Sequence, residues 1–167
     1  MEGGYKMRKQ KWKWVLISVV CFMLSTLTTM AADERLGTIV DGSLLTDQEE
    51  VIGYSERPVM RGTYLASGDG KLTKSGTRYV TVSGSTTCNK ISDEVKVTLH
   101  LQRLVGNTWT NVYTLGPKTA KNASYVSNSK SYTVTGGYYY RVSGSHSAKK
   151  GSTTEATASY TNGLWID

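Results

Sequence analysis

Residues 94–102, EVKVTLHLQ, decide the fold. Val95, Val97, Leu99 and Leu101 alternate without exception with Glu94, Lys96, Thr98, His100 and Gln102. A period of two sets every apolar side chain on one face of an extended chain and every polar one on the other. That is the pattern of an antiparallel strand with one face in a core and the other in water. Val105-Gly106-Asn107 reads as the turn that follows, so Trp109–Leu115 is expected to return beside it as the second arm of a hairpin.

Outward from this hairpin the composition is that of β structure. From Arg61 onward Gly, Ser, Thr, Tyr and Val dominate, and Pro117 is the only proline. Candidate strands at 62–67, 78–83 and 86–91 precede the hairpin; others at 131–135, 138–145 and 155–161 follow it. No amphipathic helical stretch is available for crossovers, which points to an all-β fold: an antiparallel two-sheet sandwich, immunoglobulin-like, of about seven strands. Phe22 is the only phenylalanine and lies ahead of this region. Aromatic volume must therefore come from Tyr64, Tyr79, Trp109, Tyr113, Tyr132 and Tyr138-Tyr139-Tyr140. In GGYYYRVSGSH, residues 136–146, the spacing of Gly136, Tyr138 and Tyr140 is that of a glycine turn, a corner tyrosine and the next inward residue of an immunoglobulin-like strand. This parity turns Tyr138, Tyr140 and Val142 inward, and Tyr139, Arg141 and Ser143 outward.

Upstream, Lys6, Arg8, Lys9, Lys11 and Lys13 precede an apolar run from Trp14 to Leu24, and small residues follow at Ala31 and Ala32. Basic, apolar and small residues in that order form a secretory signal peptide, so residues 1–32 are expected to be removed by cleavage close to Ala32. Counting Ser25 to Met30 lengthens the run toward the ~20 residues that span a bilayer, so a retained anchor is the alternative. Cys21 lies within the run and not at a cleavage point, which argues against a lipid anchor. Five of the 20 basic residues and one of the 13 acidic ones lie in residues 1–32, so the net charge of +7 falls to +3 without them. Residues 33–57 carry −5 and the rest about +8. An acidic, partly disordered leader over 33–60, with a short helical turn near Leu45 to Val51, is thus expected ahead of a mildly basic domain over 61–167.

The segments RGTYLASGDGKL, VSGSTTC, VTLHLQRLVGNTWTNV, GGYYYRVSGSHSAKKG and TEATASYTNGLWI, between residues 61 and 166, are similar in order and spacing to a family of small secreted β-sandwich domains of Gram-positive bacteria whose function is uncharacterised. The resemblance implies a signal peptide, a variable leader and one compact β domain. It carries over no catalytic residue.

The residues themselves offer little chemistry. His100 and His146 are the only histidines, the first on the polar face of its strand and the second at the end of another. Surface or turn roles are expected for both, since no nucleophile motif or third metal ligand accompanies them. Asp69 reads as a turn residue in Ser67-Gly68-Asp69-Gly70, Asp93-Glu94 opens a strand, and Glu155 begins the last one. Lys118, Lys121, Lys130, Lys149 and Lys150 are scattered over expected loops, with no module that would read nucleic acid. Asn122-Ala123-Ser124 reads as an ordinary loop. Only Cys88 follows residue 32, so no internal disulfide forms; it reads as a small buried residue or as one half of an intermolecular bridge. No catalytic residue, cofactor or metal is expected. The sequence therefore reads as a secreted, non-enzymatic extracellular or cell-surface interaction module that meets a membrane only during export. A small antimicrobial or toxin-like effector is the alternative. Its partner would be a cell-wall polymer, a glycan or a surface protein. Tyr139 and Arg141, a ring beside a cation on the outward parity, are the expected contact surface, with Trp165 as a further aromatic.

Overall fold

The computed structural model describes residues 35–55 and 62–167. The expected signal peptide and its cleavage point lie outside these residues. The described chain is all-β, with nine strands: β1 (Ile39–Val40), β2 (Ser43–Thr46), β3 (Glu50–Tyr54), β4 (Leu65–Gly76), β5 (Tyr79–Val105), β6 (Thr108–Thr133), β7 (Tyr138–Lys150), β8 (Thr153–Tyr160) and β9 (Gly163–Ile166). They form one sheet in the order β1-β2-β9-β7-β5-β4-β3, with β6 beside β5 and β8 beside β7. The sheet is mixed, because β2 runs parallel to β9 while the other neighbours are antiparallel. A purely antiparallel arrangement of about seven strands is thereby corrected to a curled, mixed half-barrel of nine.

Curling follows from chain length. β2 and β3 stand near opposite ends of the strand order, yet only residues 47–49 separate them. Three extended residues reach ~10 Å, so the two edges of the sheet must approach each other. Ser55, just past β3, bridges to Ser159 of β8 and draws the edges together. Residues 39–54 thus supply strands to both edges, where a helical turn and low regularity are expected from sequence. The isolated apolar pairs Ile39-Val40 and Leu44-Leu45 acquire strand geometry only because edges are there to pair with.

Three expected strands, 78–83, 86–91 and 94–102, are one strand, β5. Its periodicity breaks in the middle for a physical reason. Between the pairs Thr87–Tyr125 and Ser92–Ala123, four residues of β5 oppose one of β6. The three extra residues reverse the parity, so Val80 and Val82 face the core before the bulge and Val95, Val97, Leu99 and Leu101 after it. Before the bulge β5 pairs with β4, after it with β7, and β6 follows it throughout. The Gly106-Asn107 turn is present as expected, with Gly106 at φ 62°. Lys118, Lys121, Lys130 and Asn122 lie within β6, and Lys149 and Lys150 within β7, not on loops.

The main core is aliphatic. Leu65, Leu72, Val80, Val82, Val95, Val97, Leu99 and Val142 are fully buried, and Tyr140 is the one tyrosine deep among them. Tyr79 and Tyr113 are exposed, contrary to their expected core role, while Tyr64, Tyr132 and Tyr138 pack at its margin. Cys88 is a buried free thiol, which burial pushes up in pKa. The corner hydrogen bond forms two residues later than the spacing predicts: the Tyr140 hydroxyl donates to the Thr135 carbonyl at 2.7 Å.

Candidate functional site

Tyr139 and Arg141 have the expected parity, opposite to Tyr140 and Val142, but they are not exposed. They are 3% and 4% accessible, under a second, smaller cluster in which Leu45 and Leu104 pack on Tyr139, with Val40, Trp109 and Trp165 at its edge. Trp165 meets the Tyr139 ring edge-on at 4.9 Å, and its indole N–H donates to Asp167. The expectation of an open surface is corrected by the leader: β1 and β2 fold back over the outer face of β7, which parity along β7 alone cannot reveal.

Arg141 is the centre of this arrangement. Its Nε donates to Gln102 Oε1 at 2.7 Å, Nη1 to Ser43 Oγ at 3.0 Å and Nη2 to Asp41 Oδ2 at 3.1 Å. The guanidinium lies 4.6 Å from the Trp109 ring centroid and 5.1 Å from that of Tyr160. Burial lowers its pKa, and the neighbouring Asp41 carboxylate opposes that shift. A planar cation between two rings with three N–H donors engaged is held in one orientation. Around it, Ser43 donates to Thr161 O, Asn162 accepts from Leu44 N, and Trp109 Nε1 donates to Val40 O, so the β1–β2 hairpin is fastened along its length.

Beside this fastening lies a cleft of about 390 Å³. Its lining is mainly polar, with Asp41, Ser43, Gln102, Ser143, Thr161 and Asn162 around Arg141 and the half-exposed Tyr160 ring. Asp41 stands on the β1–β2 turn at φ 50° with most of its surface in solvent. Hydroxyls, amides, one carboxylate and one aromatic face suit a ligand rich in hydroxyl groups and with a flat apolar side.

The histidines separate sharply. His100 stays on the wet face of β5 with a bond to Thr114 at 3.0 Å. His146, expected at the surface, is 2% exposed in the core. Thr86 donates to the Lys96 carbonyl at 2.9 Å, which leaves its oxygen to accept from His146 Nδ1–H at 2.9 Å. Nε2 is then the acceptor for the Ser159 hydroxyl at 2.8 Å. Desolvation lowers the pKa of His146, so the ring is neutral. A Cβ at Gly68 would collide with the ring, and one at Gly144 would come within 2.6 Å of Nε2. The ring fits because both positions are glycine. Ser159 and His146 form a hydroxyl–imidazole pair, but Ser159 is 0% exposed and the third partner is a threonine, so the pair satisfies the core's polar groups.

The acids also have backbone roles. Asp69 lies inside β4, not in a turn, and accepts from Ser85 of β5. Glu155 accepts from the N–H groups of Thr63, Tyr64 and Leu65 at 2.7–3.0 Å, which holds its pKa below the usual range and pins the start of β4 to β8. Asp93 accepts from Gly151 N and Lys150 Nζ and closes the β7–β8 turn. Among the described residues, no three His, Cys, Asp or Glu side chains converge to hold a metal ion.

One family model matches residues 30–164, which takes in the leader strands and the body together. The chain belongs to DUF6147, a family of unknown function. No curated protein matches it. The family span includes Asp41, Ser43 and Leu45 as well as Arg141 and Tyr160, so the hairpin and the cleft it walls lie within the matched region.

Proposed function

We propose that this protein is a secreted, non-enzymatic interaction module that binds a hydroxyl-rich extracellular polymer, a cell-wall glycan, in the cleft beside Arg141. The observation that carries the reading is the Tyr160 ring, half exposed and backed at 5.1 Å by a guanidinium that is itself fixed by three hydrogen bonds. A ring so held offers a stacking platform at little further entropic cost, and the surrounding hydroxyls and amides can orient a sugar ring upon it. Arg141 acts through Tyr160 and Asp41 as a positioning residue. Sealing of the Ser159–His146 pair from solvent supports a binding role over a hydrolytic one. Secretion is supported by the basic, apolar and small-residue order of the first 32 residues. The finer view of the fold, an immunoglobulin-like two-layer sandwich, draws support from the Tyr140 corner bond and from the passage of β5 between the two halves of the curled sheet.

The test is co-sedimentation of the full-length protein with isolated Gram-positive cell walls. Tyr160→Ala should weaken association at least about tenfold while leaving the thermal midpoint nearly unchanged, and Tyr160→Phe, which keeps the ring, should retain most of it. Undiminished association of the alanine variant would remove the cleft from consideration.

A further inference from the structure

A second arginine presents a different problem. Arg103 lies two residues after Leu101, near the C-terminal end of β5. Its guanidinium carbon lies 4.6 Å from the Tyr138 ring centroid. Burial raises the pKa of the neighbouring Tyr140 hydroxyl, and a side-chain hydrogen bond from the Arg103 guanidinium opposes that rise. Arg103 Nε is sealed from solvent and has no hydrogen-bond acceptor, the only buried side-chain polar atom among the described residues left in that state. None of the ion pairs among the described residues involves Arg103. An arginine kept at a core margin without an acid, and with an N–H unmatched, is a cation with capacity to spare.

Arg103 lines a cavity of about 390 Å³ between the two arms of β6, with Val112 and Tyr113 on one side and Thr133, Val134 and Thr135 on the other. The arms are held in place: Tyr113 stacks on Tyr132 with centroids 4.5 Å apart, and its hydroxyl donates to Thr133 O at 3.3 Å. The mouth of this cavity combines the rings of Tyr113 and Tyr140 and the aliphatic Val112 and Val134 with two threonines and a single cation.

We infer that this mouth is a binding site for a monocarboxylate carried on an aromatic or apolar group, distinct from the cleft at Arg141. The carboxylate draws the guanidinium off the Tyr138 ring and supplies Nε–H and a neighbouring Nη–H with a bidentate acceptor. The apolar part lies between Tyr113 and Val134. One arginine without a second cation matches one negative charge, which favours a carboxylate over a phosphate.

The experiment is an NMR titration of the ¹⁵N-labelled full-length protein, following the Arg103 Nε–H resonance, assigned by its loss in Arg103→Lys. The probes are 3-phenylpropionate, its neutral amide and inorganic phosphate. The acid should move the resonance downfield and slow its exchange with water, the amide and phosphate should bind at least about tenfold more weakly, and Arg103→Lys should weaken the acid by a similar factor. A resonance that millimolar acid leaves in place, equal binding of acid and amide, phosphate binding as tight as the acid's, or undiminished binding by Arg103→Lys would each overturn the assignment.

Discussion

On the inner face of β7, Tyr140, Val142 and His146 pack into the main core with residues of β4 and β5, whereas on its outer face Tyr139 and Arg141 are covered by β1 and β2, a hairpin from about a hundred residues earlier in the chain. Both sets of residues are buried, and the means differ. Inside, burial is aliphatic, and the one polar ring is matched by two hydroxyls and given room by two glycines. Outside, the cover is small, and a charged side chain ties it down through hydrogen bonds and ring contacts. A large apolar core tolerates neutral polar groups only when their bonds are complete. A thin apolar cover can be held by an arginine, whose planar head bonds along its edges while its faces pack against rings.

The sharpest way to break this contrast is at the inner face's centre. Leu99→Ala should cost about 2–5 kcal/mol in urea unfolding, because the aliphatic core around it cannot close the gap, while His100→Ala on the wet side of the same strand should cost under about 0.5 kcal/mol. A reversed order would mean that β5 faces the other way after its bulge.

The outer face should respond less but clearly. Arg141→Leu should cost about 2–3 kcal/mol, since Gln102 and Ser43 lose their partner and Trp109 and Tyr160 lose the plane between them. The sequence alone predicts an exposed Arg141 whose replacement leaves stability nearly unchanged, so an unaltered unfolding midpoint would restore that reading and remove the hairpin as a structural cover.

Acidification probes the inner face by itself. His146 has a folded pKa below its unfolded value of about 6.5, so the unfolded chain takes up the proton first and stability falls as pH drops below that value. The loss should approach about 1.4 kcal/mol per pH unit until the folded pKa is reached. Glu50, Asp93 and Glu155, whose folded pKa values are depressed, contribute stability above their unfolded values, near 4, and lose it only at lower pH. Urea midpoints at pH 7.5 and 5.5 should therefore differ for the native protein and nearly coincide for His146→Asn. Equal slopes in both would remove His146 from the cause.

The smallest expected effect is at Asp41. Its carboxylate is largely solvated, so Asp41→Asn should cost under about 1 kcal/mol by thermal or urea unfolding, far less than Arg141→Leu. A loss as large as the arginine's would show that the ion pair, and not the arginine's hydrogen bonds and ring contacts, fastens the hairpin.

The alternation of residues 94–102, the Gly106-Asn107 turn and the parity of Tyr138 to Val142 were legible because each depends on neighbours one or two positions away. So was the all-β class, which follows from composition and the lack of a helical period. The fusion of three expected strands into β5 was not, because a three-residue bulge breaks the local period while the chain runs on beside β6. The roles of His146 and Glu155 were also hidden: each is satisfied by groups on other strands, Thr86, Ser159 and the N–H groups of residues 63–65. The burial of Tyr139 and Arg141 and the existence of the cleft were decided by β2 pairing with β9 across the whole length of the domain, and Tyr160 and Arg103 gained their settings in the same way. Sequence by itself determined which face of residues 94–102 and of residues 138–142 turns toward the main core. Tertiary structure alone decided what covers that face, because the cover comes from strands far away in the chain, and the closure that brings them together leaves no local period to read.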